Sequence, residues 1–72
     1  MSSDYNYKLA RELENIIDRE RLWVVLQTIS QICGEKSDHI LETWADERTA
    51  RAWHNMDGVI DRAATSAKRY EM

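Results

Sequence analysis

The chain lacks proline and phenylalanine, and its 72 residues include two glycines and one cysteine. The lone Cys33 excludes an intramolecular disulfide and favours a reducing compartment. No stretch alternates apolar and polar residues as a strand would, and proline is absent, so we predict an all-α protein. The longest apolar run covers only residues 22–26, which is too short for a membrane span.

Charge and length exclude further classes. Ten Lys and Arg stand against thirteen Asp and Glu, for a net charge of −3 without a block of one sign. Duplex nucleic acid is therefore a poor default partner, because neutralising phosphates requires a basic face. The first eight residues lack the basic and apolar regions of a signal peptide, so we expect a cytoplasmic protein. The length fits a single helical domain, 1–72, that gains stability by association, since no disulfide or metal helps it.

Apolar spacing and capping residues predict three helices. We place them at about 4–17, 19–42 and 44–70, as a three-helix bundle with a long third helix. The predicted N-caps are Ser3, Asp18 and Thr43.

The second helix carries the clearest apolar stripe of the chain, and we predict that this stripe forms the core. Its members follow one another mostly in steps of three and four: Leu22, Val25, Leu26, Ile29, Ile32, Cys33 and Ile40. Gly34 leaves two interpretations open, a break between two helices or one continuous helix. The spacing from Cys33 to Ile40 is one heptad, which favours the continuous helix. The same question of a break arises at Gly58.

The third helix shows a seam of eight positions with heptad-like steps: Ala45, Thr49, Ala52, Met56, Ile60, Ala63, Ala67 and Tyr70. At about 40 Å this helix is roughly twice as long as the first, so the first cannot cover it. Ala63, Ala64 and Ala67 give its distal part a small-residue surface. We therefore expect a second helix to pack there, most simply from a second copy in a homodimer.

The middle of the chain resembles a group of short bacterial helical proteins that have no assigned activity. The resemblance covers about half of the chain and is carried by the pattern Cys33-x-Glu35-Lys36-x-Asp38-His39-Ile40-x-Glu42-x-Trp44-x-Asp46-Glu47-x-x-Ala50-x-Ala52-Trp53. Members of this group have alanine at the position of Gly34, which implies a helix there. The resemblance implies no cofactor and no binding residues.

One polar cluster has the spacing of a metal site. Glu35, Asp38, His39 and Glu42 share one helix face, and carboxylates with imidazole at such spacing can hold a divalent ion. The di-iron pattern requires Glu-x-x-His, whereas here the spacing is one residue longer and occurs once. A solvated polar face is the favoured interpretation, and metal binding stays an alternative function.

No residue pattern predicts catalysis, so we expect neither an enzyme nor a cofactor. Cys33 falls on the apolar stripe, and His39 is too far along the helix, and on another side, to activate its thiol. Zinc spacings, phosphate-binding glycine loops and Ser/His/Asp arrangements are all missing.

The three tryptophans are the best candidates for anchoring contacts. Trp44 and Trp53 flank the predicted start of the third helix, where they would fill interhelical corners. Trp23 lies off the main stripe, and its roles in the core and at an interface are equally supported.

These patterns favour a small protein-interaction or regulatory module that recognises partners through helix faces. The residues assigned to partner binding are Trp23, Val24, Ala63, Ala67 and Tyr70. A nucleic-acid-binding module is the least favoured alternative. It would use the bases of the third helix, such as Arg48 and Arg51, but acidic residues are interleaved with them.

Overall fold

Three helices make up the computed structural model, which describes residues 6–71. They are α1 (Tyr7–Arg19), α2 (Leu22–Trp44) and α3 (Glu47–Tyr70), and no strand occurs between residues 6 and 71. The prediction of an all-α protein with three helices and a long third helix is confirmed. Neither glycine breaks a helix, since α2 continues through Gly34 and α3 through Gly58.

The helix starts differ from the predicted ones, because other side chains cap them. Asn6 caps α1 by accepting a hydrogen bond from the Leu9 backbone N–H at 2.9 Å. Asp46 caps α3 and accepts from the backbone N–H and the hydroxyl of Thr49, at 3.1 and 2.8 Å. These bonds hold the pKa of the Asp46 carboxyl below its usual value, because they favour the charged form.

Two predicted caps are therefore wrong, and one cannot be compared. Asp18 lies inside α1 and Thr43 lies inside α2, so neither begins a helix. Ser3 lies outside the described residues. The chain reverses at Ala45, whose φ of 52° is left-handed and ends α2.

Helices α2 and α3 form an antiparallel hairpin that holds most of the tertiary contacts. The Ser37 hydroxyl donates to the Ala50 carbonyl at 2.7 Å, near the turn. Further along, the Ser30 hydroxyl donates to the Asp57 carboxylate. Helix α1 touches α2 alone and has no packing contact with α3 within residues 6–71. The molecule measures about 37 × 37 × 20 Å, which is thin for a bundle.

Small and polar residues form the seam between α2 and α3. The four buried residues of the described chain are Ser30, Cys33, Ala50 and Ala64. A Cβ on Gly34 would lie 3.0 Å from the Asp57 carboxylate, so the two backbones approach closely at this level. Between residues 6 and 71 no large side chain is fully buried.

The apolar stripe of α2 forms only part of the core that we predicted, since Val25, Leu26, Ile29 and Ile40 are half-buried. Of its seven residues only Cys33 is buried, and Ile32 is 45% exposed. The helical period was identified correctly, but α2 turns its serines and glycine toward α3. Small residues let the helices come close, and the Ser30–Asp57 bond satisfies the polar groups that this closeness buries.

The predicted seam of α3 is also displaced, by one residue over most of its length. The residues that face α2 are Ala50, Trp53, Asp57, Ile60, Ala64, Ala67 and Glu71, each buried or half-buried. Six members of the predicted seam are exposed instead: Ala45, Thr49, Ala52, Met56, Ala63 and Tyr70. The half-buried Asp57 and the terminal Glu71 hid the true seam, because both have the composition of surface residues.

Candidate partner-binding surface

One side of the α2/α3 hairpin is polar. Two shallow grooves run between the helices on this side. The first is lined by Trp23, Gln27, Asp61, Ala64, Thr65 and Lys68, and the second by Ser37, Asp38, Leu41, Glu47, Ala50, Arg51 and His54. Charged side chains of both signs therefore cover this side, which we call the polar side.

The other side of the hairpin is apolar. In each helix, the residue just before a seam residue points about 100° away from it around the helix axis. Because α2 and α3 are antiparallel, the residues that precede the seam residues in both helices lie together on the apolar side. The residues that follow the seam residues lie on the polar side. The residues on the apolar side repeat every seven positions, and we call them the open face: Leu22, Ile29, Lys36, Thr49, Met56, Ala63 and Tyr70.

A contact across the hairpin supports this assignment. The Lys36 ammonium lies 5.5 Å from the centre of the Trp53 ring, so α2 and α3 share this side near the turn. Such a cation–π contact keeps the ammonium at one end of the open face. Lys36 is the one basic or acidic residue among the seven, and the rest of the surface is uncharged.

Helix α1 leaves the open face uncovered except at Ile29, which is half-buried and lines the groove with α1. Its own apolar stripe lies along α2 on the side away from α3. Between the two helices is a groove of about 320 Å³, lined by Leu13, Ile16, Glu20, Val24, Val25, Thr28 and Ile29. Leu9 and Leu13 remain exposed, so α1 itself is only half covered.

The five residues predicted to bind a partner fall in three places. Ala63 and Tyr70 lie on the open face, and Tyr70 is 87% exposed. Ala67 is half-buried at the seam beside them. Val24 lines the groove with α1, and Trp23 lies at the polar-side groove, where the Lys68 ammonium is 4.8 Å from its ring. The structure thus brings three of the five together and separates the other two.

The sequence interpretation left the α2 half of the open face out of the binding set. Leu22 and Ile29 had been assigned to the core, and Met56 to a seam within the chain. The heptad-like pattern of α3 did indicate the open face. We had interpreted this pattern as a packed seam, whereas most of its residues lie on the exposed side of α3. The prediction of a buried corner at Trp44 is wrong, since this side chain is 71% exposed. Trp53 is half-buried beneath Lys36.

The polar cluster of α2 lies on an exposed part of the helix. His39 is near Thr43, with 3.5 Å between the imidazole Nδ1 and the hydroxyl, and Glu35, Asp38 and Glu42 point to solvent. Within residues 6–71 no three His, Cys, Asp or Glu side chains come together as metal ligands would. Cys33 is buried, as the sequence predicted. Over the same residues, no helix has the length and hydropathy needed to cross a membrane.

Comparison with protein-family models, with curated proteins and with solved structures found no match to this chain. The resemblance to short bacterial helical proteins therefore stays a prediction, and the functional argument rests on the geometry of the hairpin.

Proposed function

We propose that this chain is a small protein-interaction module that recognises a helical partner through its open face. The observation that carries the proposal is the distribution of side chains across the hairpin. Small and polar groups fill the seam, while Leu22, Met56 and Tyr70 remain exposed on one side. Large apolar side chains exposed together on one side of a small protein are typical of interaction sites.

The shape of the surface supports helix-face recognition rather than capture of a small molecule. Apolar side chains on the open face recur every seven residues along two antiparallel helices, as they do in the facing surfaces of helical bundles. The open face has no convergent polar groups of the sort that orient a small ligand. The proposal assigns no catalytic residue and no cofactor.

A cytoplasmic location is part of the proposal. Cys33 is buried and unpaired, which suits a reducing compartment, where a free thiol persists. An apolar surface of this kind would need its partner in the same compartment.

Site-specific photo-cross-linking tests the proposed function. A photoreactive amino acid is placed at Ala63, on the open face, or at Thr65, on the polar side, in the full chain within the cells that make it. Both positions are exposed and lie on the same helix, so they form a matched pair. We expect covalent protein adducts from position 63 and few or none from position 65. Equal yields from both positions, or no adduct from position 63, would contradict the proposal.

A further inference from the structure

We propose that the partner of the open face is a second copy of this chain, so that two α2/α3 hairpins form a four-helix assembly. This inference rests on the proposed function and adds the identity of the partner. Three features support it: the amount of surface that the chain exposes, the shape of the open face and the distribution of charge.

The exposed surface is larger than the usual scaling gives for a folded monomer of this mass. The chain exposes 6136 Å². A folded monomer of 8.5 kDa exposes about 4,700 Å² by the usual scaling with mass. The excess of about 1,400 Å² exceeds the roughly 800 Å² that each partner buries in a standard interface. The radius of gyration, 14.6 Å, also exceeds the value of about 11 Å expected for 72 residues.

The open face is complementary to itself in shape. On α2 it presents Leu22 and the half-buried Ile29, and on α3 it presents the large Tyr70 at the level of Leu22 and the small Ala63 two turns earlier. A two-fold axis parallel to the helices sets α2 of one copy over α3 of the other, so that Leu22 meets Tyr70 and Ile29 meets Ala63. Large and small residues then interdigitate on both sides of the axis, as in packed helical cores.

The distribution of charge also favours the open face as the contact surface between two copies. The chain carries a net charge of −3, so two copies repel each other weakly at long range. Leu22, Ile29, Met56 and Ala63 carry no charge, and Lys36 is held beside Trp53 at one end of the face. A second copy therefore meets this side without burying an unpaired charge at its centre. A contact through the polar side would instead bury charged side chains of both signs, such as Asp61 and Lys68.

Sedimentation equilibrium of the full chain tests the assembly. We expect the wild type at tens of micromolar to sediment with about twice the 8.5 kDa mass of one chain. Two lysine variants separate the two sides, because Met56 and Leu41 are similarly exposed, at 40% and 48%. Met56→Lys should halve the measured mass, and Leu41→Lys should leave it unchanged. Far-UV circular dichroism of each variant confirms that its helices have formed.

The measured mass of the wild type tests the proposed assembly even if a variant fails to fold. A wild-type mass of one chain at high micromolar concentration would overturn the assembly. So would an equal loss of mass in the two folded variants, since that would not locate the contact on the open face. If the wild type is a single chain but position 63 cross-links to a different protein, the second copy is excluded and the proposed function is retained.

Discussion

At the scale of single residues, the hairpin is specified by small and polar side chains. Ser30 and Asp57 meet across the seam through a hydrogen bond, and Gly34 leaves room for the Asp57 carboxylate beside it. Removing one partner would leave the other buried and unsatisfied, which typically costs about 1–3 kcal/mol. This pairing fixes which residues of α2 face α3, and it therefore also fixes which apolar residues face outward.

The two glycines should respond in opposite ways to alanine. A Cβ on Gly58 meets only the end of Arg62, at an ordinary 3.7 Å, so Gly58→Ala should raise the free energy of unfolding by about 0.5–1 kcal/mol. On Gly34 the Cβ would press against the Asp57 carboxylate, which Ser30 holds in place. We expect Gly34→Ala to bring no gain. Urea titrations at one fixed protein concentration measure both. Equal stabilisation by the two substitutions would show that Asp57 moves freely.

Sequence patterns could not reveal this seam, for a physical reason. Hydrophobic periodicity finds the most apolar side of a helix, and the most apolar side of α2 is not the side that packs against α3. Ser30, Asp57 and Glu71 look like surface residues until their partners across the hairpin are known. The continuity of α2 through Gly34 and the burial of Cys33 were predictable, because both follow from the helical spacing of apolar residues close in sequence.

At the scale of elements, the start of α2 depends on the end of α3. The residue that caps α2, Arg21, makes no side-chain capping bond. Instead the Glu71 carboxylate accepts from the backbone N–H groups of Leu22 and Trp23, at 3.0 and 2.8 Å. The Arg21 guanidinium donates to the Glu71 carbonyl at 2.9 Å. A carboxylate at a helix N-terminus is favoured by both hydrogen bonding and the helix dipole.

Glu71→Ala should therefore destabilise the hairpin at the end where α2 begins and α3 ends. We expect the free energy of unfolding to fall by about 1 kcal/mol, the usual cost of losing an N-cap. Glu71→Gln keeps one oxygen acceptor and should lose less. Arg69→Ala, an exposed change two residues earlier, serves as the control. Urea denaturation reports all three. A Glu71→Ala protein as stable as the Arg69→Ala control would contradict the cap.

At the scale of the whole molecule, the described chain has a layer of helices but little core. Helix α1 packs on α2 alone, and the hairpin buries four small residues. The sequence predicted the helix count and the long third helix, and it predicted the surface on α3 for which we propose a partner. It could not predict that α2 supplies the other half of this surface, because that depends on the rotation of α2 about its own axis. Leu22 and Ile29 were therefore assigned to the core.

The most direct test of the account is whether the open face is covered in solution. Methyl NMR of the full chain, with a water-soluble paramagnetic probe, compares the methyl groups of Met56 and Leu41 at a few hundred micromolar protein. The two side chains are similarly exposed in the single chain but lie on opposite sides of the hairpin. We expect strong broadening of the Leu41 methyl signals and several-fold weaker broadening of the Met56 methyl signal. Equal broadening of the two would contradict this expectation.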